Sequence, residues 1–267
     1  MKTKQTINPA PLVLCEVISL FTPLFVLQNT FINEPQHLKA FISALTAILG
    51  WSIFKVLAPQ IHQTLLNRAK ISNGRYWLLL LLVAMSSLLI VTSLQSIQSV
   101  IGKRAEIYIV AGFALEGIGV QWLRVKKFLR GGLFYAVGKT SIILLLASTI
   151  SFLPTSIDSP FVVVAFSSSL YATLCLITYG LDEVLIAEKL KRALALAFVA
   201  PASLHSILIY LGLLPHTFLF LFASMIPLKR FNNALDNSAP SALRNCTVRA
   251  AMLFAILFVV IAMRTQG

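Results

Sequence analysis

Apolar residues fill this chain in long runs, and polar residues gather between the runs. The stretch YWLLLLLVAMSSLLIV, Tyr76 to Val91, shows the pattern at its plainest. Runs of this kind approach the roughly 20 residues that an α-helix needs to cross a hydrocarbon layer. Nine candidate spans follow, at 12–31, 38–57, 76–93, 106–122, 132–153, 160–180, 193–212, 214–228 and 248–263. Pro35, Pro59, Pro154, Pro160, Pro215 and Pro240 fall near span ends, where a residue without an N–H is best tolerated. Pro23 and Pro201 lie inside spans and are expected to kink them. The eighth span is short, so the seventh and eighth also read as a re-entrant hairpin. The pattern predicts an all-α polytopic membrane protein, a nine-helix transmembrane bundle forming a single domain over residues 1–267.

Composition supports this class. Hydrophobic residues make up 58% of the chain and charged ones 12%, against about 25% charged in a soluble globule. Too little polar surface remains to cover a water-soluble sphere. The net charge of +13 would suggest nucleic acid in a soluble chain. Here most basic residues lie in the connections between runs, where they act as topology signals beside an anionic leaflet. The expected partners are membrane lipids, not nucleic acid.

Orientation follows from the same charges. With the N-terminus in the cytoplasm, the inner side receives Lys2 and Lys4, then Arg68, Lys70 and Arg75, then Arg124, Lys126, Lys127 and Arg130. It also receives Lys189, Lys191, Arg192, Lys229, Arg230 and Arg244, whereas the outer side holds mainly Lys103, Arg104 and Arg264, with Lys39 near a helix start. Basic residues resist translocation, so an N-in, C-out bundle is expected. The first apolar run lacks a small-residue cleavage site and reads as a retained helix. The charge bias and the lack of a presequence favour a bacterial inner membrane.

Several polar residues fall at membrane depth. Glu16 lies early in the first span, and Lys55 near the inner end of the second can snorkel to water. Glu116 sits well inside the fourth span, where a carboxylate must be paired, hydrated or protonated. Lys139 poses the same problem in the fifth span, and the two are candidates to pair. Cys15, Cys175 and Cys246 are isolated and show no metal-ligand spacing. His37, His62, His205 and His216 form no metal motif. There is no GxSxG and no Walker loop. The serine run Ser167–Ser169 reads as helix packing rather than as a nucleophile.

Two connections carry candidate chemistry. Ile61 to Arg75 is read as the cytoplasmic loop after the second span, basic and without an acid, and suited to topology or to phosphate and diphosphate binding. The connection TYGLDEVLIAEKLKR, Thr178 to Arg192, holds Asp182, Glu183 and Glu188 among Lys189, Lys191 and Arg192. These carboxylates suit a Mg²⁺, with water and substrate phosphate completing the ligand set. They equally suit a solvated amphipathic edge with local ion pairs.

The layout resembles the UbiA superfamily of intramembrane prenyltransferases. That family is built as nine-helix bundles with the N-terminus inside, and its two signature regions follow helices two and six. Gln60–Arg75 and Gly180–Arg192 occupy those places. NRAKISNGR, Asn67 to Arg75, is similar to the family's NRPIPSGR-like run. GVQWLRVKKFLRGG resembles the basic loop after helix four, and SLYATLCLITYGLDE is similar to the helix-six end of divergent members. The C-terminal stretch from Asn232 to Ala262 is similar to the family's last loop and helix. The resemblance implies an isoprenyl diphosphate donor, an aromatic or lipid-pathway acceptor, and Mg²⁺ held by Asp182 and Glu183 with Glu188 beside them. It also implies diphosphate contacts from Asn67, Arg68, Arg75, Lys126 and Lys127. The chain departs from the family at WSIFKVLAPQIHQTLL, Trp51 to Leu66, where the first aspartate pair would stand and where there is no acid. On this resemblance Lys55, His62 and Arg68 would supply positive charge for the diphosphate in place of the metal. Two alternatives therefore stand beside the enzyme: a non-catalytic UbiA-like lipid-binding or transport-accessory protein, and an unrelated transporter with Glu116 and Lys139 lining its path.

Overall fold

A computed structural model describes residues 10–24, 35–66, 73–124, 128–150, 159–179, 203–230, 233–234, 237 and 240–266. Over these residues the protein is helical. The helices are α1 (Ala10–Phe21), α2 (Pro35–Leu66), α3 (Asn73–Ile101), α4 (Arg104–Ile109), α5 (Leu115–Arg124), α6 (Phe128–Ile150) and α7 (Ser159–Tyr179). They continue with α8 (203–210), a 3₁₀ helix (His216–Arg230) and α9 (Pro240–Gln266). A π-helical turn, Val110–Ala114, joins α4 to α5. Five segments are long and apolar enough to cross a membrane: Leu80–Ile101, Ala105–Leu123, Phe128–Thr149, Phe161–Thr178 and Ser241–Arg264. The protein is an integral membrane protein on this ground.

The described helices extend or trim the spans expected from the sequence. Helix α2 runs on to Leu66 and α3 begins at Asn73, so most of Ile61–Arg75 is helix rather than loop. The apolar pattern fades before Leu66, but nothing between Gln60 and Leu66 breaks a helix. Helix α1 stops at Phe21, so Pro23 lies beyond its end instead of kinking it. The eighth span is a 3₁₀ helix with Pro227 inside it, not an α-helix. Proline there removes a backbone donor that an α-helix interior would use.

Neighbouring helices run antiparallel. Gly50 of α2 faces Ser86 and Ile90 of α3, and Gly112 and Gly119 of α5 and its π-turn face Ile142 and Tyr135 of α6. Thr140 of α6 bonds Ser169 of α7, and Thr178 of α7 bonds Thr247 of α9. Ser168 of α7 donates to the Ser19 carbonyl of α1 at 3.0 Å. The His37 ring donates through Nδ1 to the Thr149 carbonyl at 3.0 Å, which sets the start of α2 beside the end of α6. These registers place Leu66, Asn73, Arg124, Phe128, Tyr179 and Pro240 at one end of the protein. Phe21, Pro35, Ile101, Arg104, Ile150 and Ser159 lie at the other.

Helix α7 is central. Its apolar window is 78% buried, against 17% for α3. One apolar core gathers Cys15, Leu174, Cys175, Leu221, Leu243, Phe254 and Phe258, and a second gathers Ala44, Ala47, Ile97, Phe113, Ile143 and Leu146. Leu78, Leu81, Met85, Leu88 and Val91 of α3 are exposed. In a membrane protein that outward apolar face is the one that lipid wets.

The serine run in α7 is a junction. Successive residues on a helix point about 100° apart. Ser167 therefore reaches His205 of α8 at 3.5 Å, Ser168 reaches α1, and Ser169 reaches Thr140 of α6 at 3.1 Å. All three serines are buried. Interhelical bonds of this type contribute about 0.6 kcal/mol each within membranes. Ser168→Ala is accordingly expected to lower stability by only about 0.6 kcal/mol, read as a small shift of thermal unfolding in detergent. A loss several times larger would show that the α1–α7 contact depends on this bond.

Candidate functional site

The described charges at membrane depth meet in one place. Lys139 of α6 forms an ion pair with Oε2 of Glu16 of α1. The same ammonium lies 3.9 Å from Oε1 of Glu116 of α5. The Tyr135 hydroxyl donates to Oε1 of Glu16. Trp51 of α2 donates its indole N–H to Oε2 of Glu116 at 2.7 Å. Lys139 thus bridges the two carboxyl groups, with Tyr135 on Glu16 and Trp51 on Glu116, and these side chains form a ring of polar groups around the ammonium.

The sequence builds the ring from simple parts. Tyr135 and Lys139 are four residues apart, which puts them on one face of α6. Gly138 lets α5 approach that face. A Cβ added at Gly138 would lie 2.3 Å from the Glu116 nitrogen, and one at Gly119 would lie 2.5 Å from the Tyr135 nitrogen. Backbones this close bring Glu116 level with Lys139. The π-turn ends just before Glu116 and places Phe113 in a stack on Trp51, with ring centroids 5.2 Å apart. Such turns shift the register of everything after them and often mark functional positions. In α1, Cys15 lies in the same buried apolar core as Cys175 of α7, next to Glu16.

Burial separates the two acids. The Glu116 side chain is 1% accessible and that of Lys139 4%, whereas that of Glu16 is 23% accessible. A charge this deep is tolerated when paired and turned toward the bundle interior. The expectation that Glu116 and Lys139 pair holds at 3.9 Å, but Glu16 takes the tighter contact. Glu16 is legible in the sequence as an acid in an apolar run. Tyr135 and Trp51 carry no such signal, because aromatic residues in a span read equally well as packing.

The residues expected to bind a diphosphate or Mg²⁺ are placed less fully. Asn67, Arg68, Lys126, Lys127, Asp182, Glu183 and Glu188 lie outside the described residues. Arg75 lies in the first turns of α3, and its side chain is outside the description. The helix ends that flank them are placed. Trp51 is level with Glu116, and Leu66 lies about 22 Å further along α2 at 1.5 Å per residue. That direction is the one in which α5 runs to Arg124 and α7 to Tyr179. Arg244 of α9 donates through Nε to the Thr178 carbonyl at 3.2 Å, so a guanidinium stands where the acid-bearing connection leaves α7. Among the described residues, no group of three or more His, Cys, Asp or Glu side chains is placed to hold a metal ion.

The fold and the ring define an all-helical integral membrane protein with a charged centre between its helices. Compared with protein-family models, curated proteins and solved structures, the chain has no match.

Proposed function

We propose that this chain is a nine-helix bundle with a cytoplasmic N-terminus that moves an isoprenyl group from a diphosphate donor to an aromatic or lipid-pathway acceptor, in the manner of the UbiA superfamily. One observation supports the reading above others. The helix ends flanking the two basic connections, at Leu66/Asn73 and Arg124/Phe128, lie at the same end as Tyr179, where the acid-bearing connection begins. The connections that carry the expected positive groups and carboxylates thereby start from helix ends on one side of the bundle. A bacterial inner membrane fits the donor and the charge bias.

In this reading Asn67, Arg68, Arg75, Lys126 and Lys127 hold the diphosphate by charge-assisted hydrogen bonds. Asp182, Glu183 and Glu188 are the oxygen ligands for Mg²⁺, which would neutralise charge on the leaving diphosphate. The prenyl tail lies among apolar helices. The test is Mg²⁺-dependent transfer from a radiolabelled isoprenyl diphosphate by the full-length protein in lipid. Asp182→Ala and Glu183→Ala are each expected to slow transfer roughly 10²-fold, equivalent to about 2.7 kcal/mol of transition-state stabilisation. No transfer to any of a broad set of acceptors would assign the bundle to lipid binding without catalysis.

A further inference from the structure

The outward sides of three helices change from polar to apolar and back over nearly the same length. On α3 the exposed side is apolar from Trp77 through Leu81, Met85 and Leu88 to Val91, with Ser87 the one polar residue among those described. Beyond Val91 the exposed residues are Thr92, Gln95 and Ser99, whereas Ile97 turns into the core. Along α4, the π-turn and α5, exposed Glu106 and Gln121 bracket exposed Ile107, Ala114 and Ile118. On α9, exposed Arg249 and Arg264 bracket Ile256, Val260 and Met263. Ser241 and Asn245 continue the side of Arg249 at four-residue spacing, exposed and polar. At 1.5 Å per residue the apolar stretch is about 21 Å on α3, at most about 22 Å on α4–α5 and about 22 Å on α9.

A typical hydrocarbon core is about 30 Å thick. The helices themselves are long enough for it, at 29 residues in α3 and 27 in α9. Their outward sides are not. The three stretches also share a depth. Gly50 faces Ser86 and its neighbour Trp51 bonds Glu116. Gly138 abuts Glu116, Thr140 bonds Ser169, and Tyr171 packs on Phe254. Ser86, Glu116 and Phe254 therefore stand at nearly one level. From that level the polar limits lie about 8–14 Å away toward the Asn73 end and about 9–15 Å away toward the Ile101 end.

We propose that the lipid-facing belt of this protein fits a hydrocarbon layer of about 22 Å, so that its lipid partner is a thin bilayer. In a layer of ordinary thickness, exposed polar side chains on all three helices would enter the hydrocarbon. Arg249 can snorkel along its stem toward Asn245. Thr92, Gln95 and Gln121 are too short to do the same. Tilting the bundle only shortens the belt along the bilayer normal, so it offers no relief. Compressing or shortening the acyl chains costs a modest amount per ångström, and it leaves every one of these groups in the headgroup region. It also brings the Glu16–Lys139–Glu116 centre to mid-depth, within about 15 Å of water on either side. The proposal is independent of prenyl transfer.

Thermal unfolding of the full-length protein tests it in phosphatidylcholine vesicles whose hydrocarbon layers run from about 20 to about 34 Å. The midpoint is expected to peak in the layer near 22 Å and to fall by about 5–10 °C in the layer near 30 Å. The variant Thr92→Val, Gln95→Leu, Arg249→Leu extends the apolar side of α3 to Ser99 and that of α9 to Asn245. Its peak should move to thicker layers, by at least 4 Å. A wild-type peak near 30 Å would overturn the proposal, and so would a midpoint that does not depend on thickness. A peak that stays in place in the variant would also overturn it, since the polar limits would then not set the fit. Should the variant fail to fold, the wild-type profile alone decides.

Discussion

Lys139→Met is expected to destabilise the protein by about 3–5 kcal/mol, the cost typical of removing one partner from a buried ion pair. The ammonium is held by Glu16 and faces Glu116, and it is almost wholly buried. Methionine keeps the length of the side chain and its apolar stem. Its loss is therefore one of charge rather than of packing. Two carboxyl groups then share the membrane interior with Tyr135 and Trp51 as their described partners. Reversible unfolding in mixed micelles measures the effect. The double variant Glu16→Gln with Lys139→Met should recover at least half of it, because one stranded charge leaves with the cation. The difference between the double change and the sum of the single ones gives the coupling energy directly. A loss below about 1 kcal/mol, the range of an exposed pair, would show that the ring is solvated and that its burial is not felt.

The second large effect is steric. Gly138→Ala is expected to cost about 3 kcal/mol, the upper part of the range for overpacking. The new Cβ would meet the Glu116 nitrogen at 2.3 Å and its Cα at 2.9 Å. Both are backbone atoms of a facing helix, so no rotamer change relieves the contact. Helices α5 and α6 must separate by about 1 Å to restore ordinary van der Waals distance. That movement also draws Glu116 away from Lys139 and Tyr135, so packing and charge are lost together. Gly132→Ala is the matched control on the same helix. Its Cβ would meet only side-chain atoms of Thr173 and Ile177, at 3.3 and 3.4 Å. Those groups can shift by a few tenths of an ångström, and a cost under 1 kcal/mol is expected. Equal losses at the two positions would mean that α5 and α6 are not held at backbone contact.

The two predictions meet at one geometric fact. Glu116 is placed by a glycine that belongs to the helix carrying Lys139. A sequence reading that treats glycines in spans only as generic sites of close approach gives no reason to single out Gly138. Once α5 is seen against α6, the neighbouring positions 138 and 139 have linked duties. One admits the acid's backbone, and the other meets its side chain.

Much of the fold was legible along the chain. The apolar runs fix which segments are helical and membrane-bound, since every backbone group must bond within its own helix in hydrocarbon. Span positions were close for α5 with its π-turn, α6 and α7, where charged or proline-bearing connections bound the runs. The ends of α2 and α3 were less legible, because Ile61–Leu66 is a good helix that happens to lie beyond the apolar run. The 3₁₀ form of His216–Arg230 was not legible at all, as its composition suits either helix type.

Sequence alone determined the class of this protein, for hydrophobic burial in lipid depends on composition and run length and on little else. It also marked Glu16, Glu116 and Lys139 as anomalies, because a charge in an apolar run is costly wherever it points. Only the tertiary structure decided who partners whom. The ring's assembly depends on helix register and on a glycine that lets two backbones touch. Those are relations between segments more than 100 residues apart in the case of Glu16 and Lys139, and no local pattern encodes them.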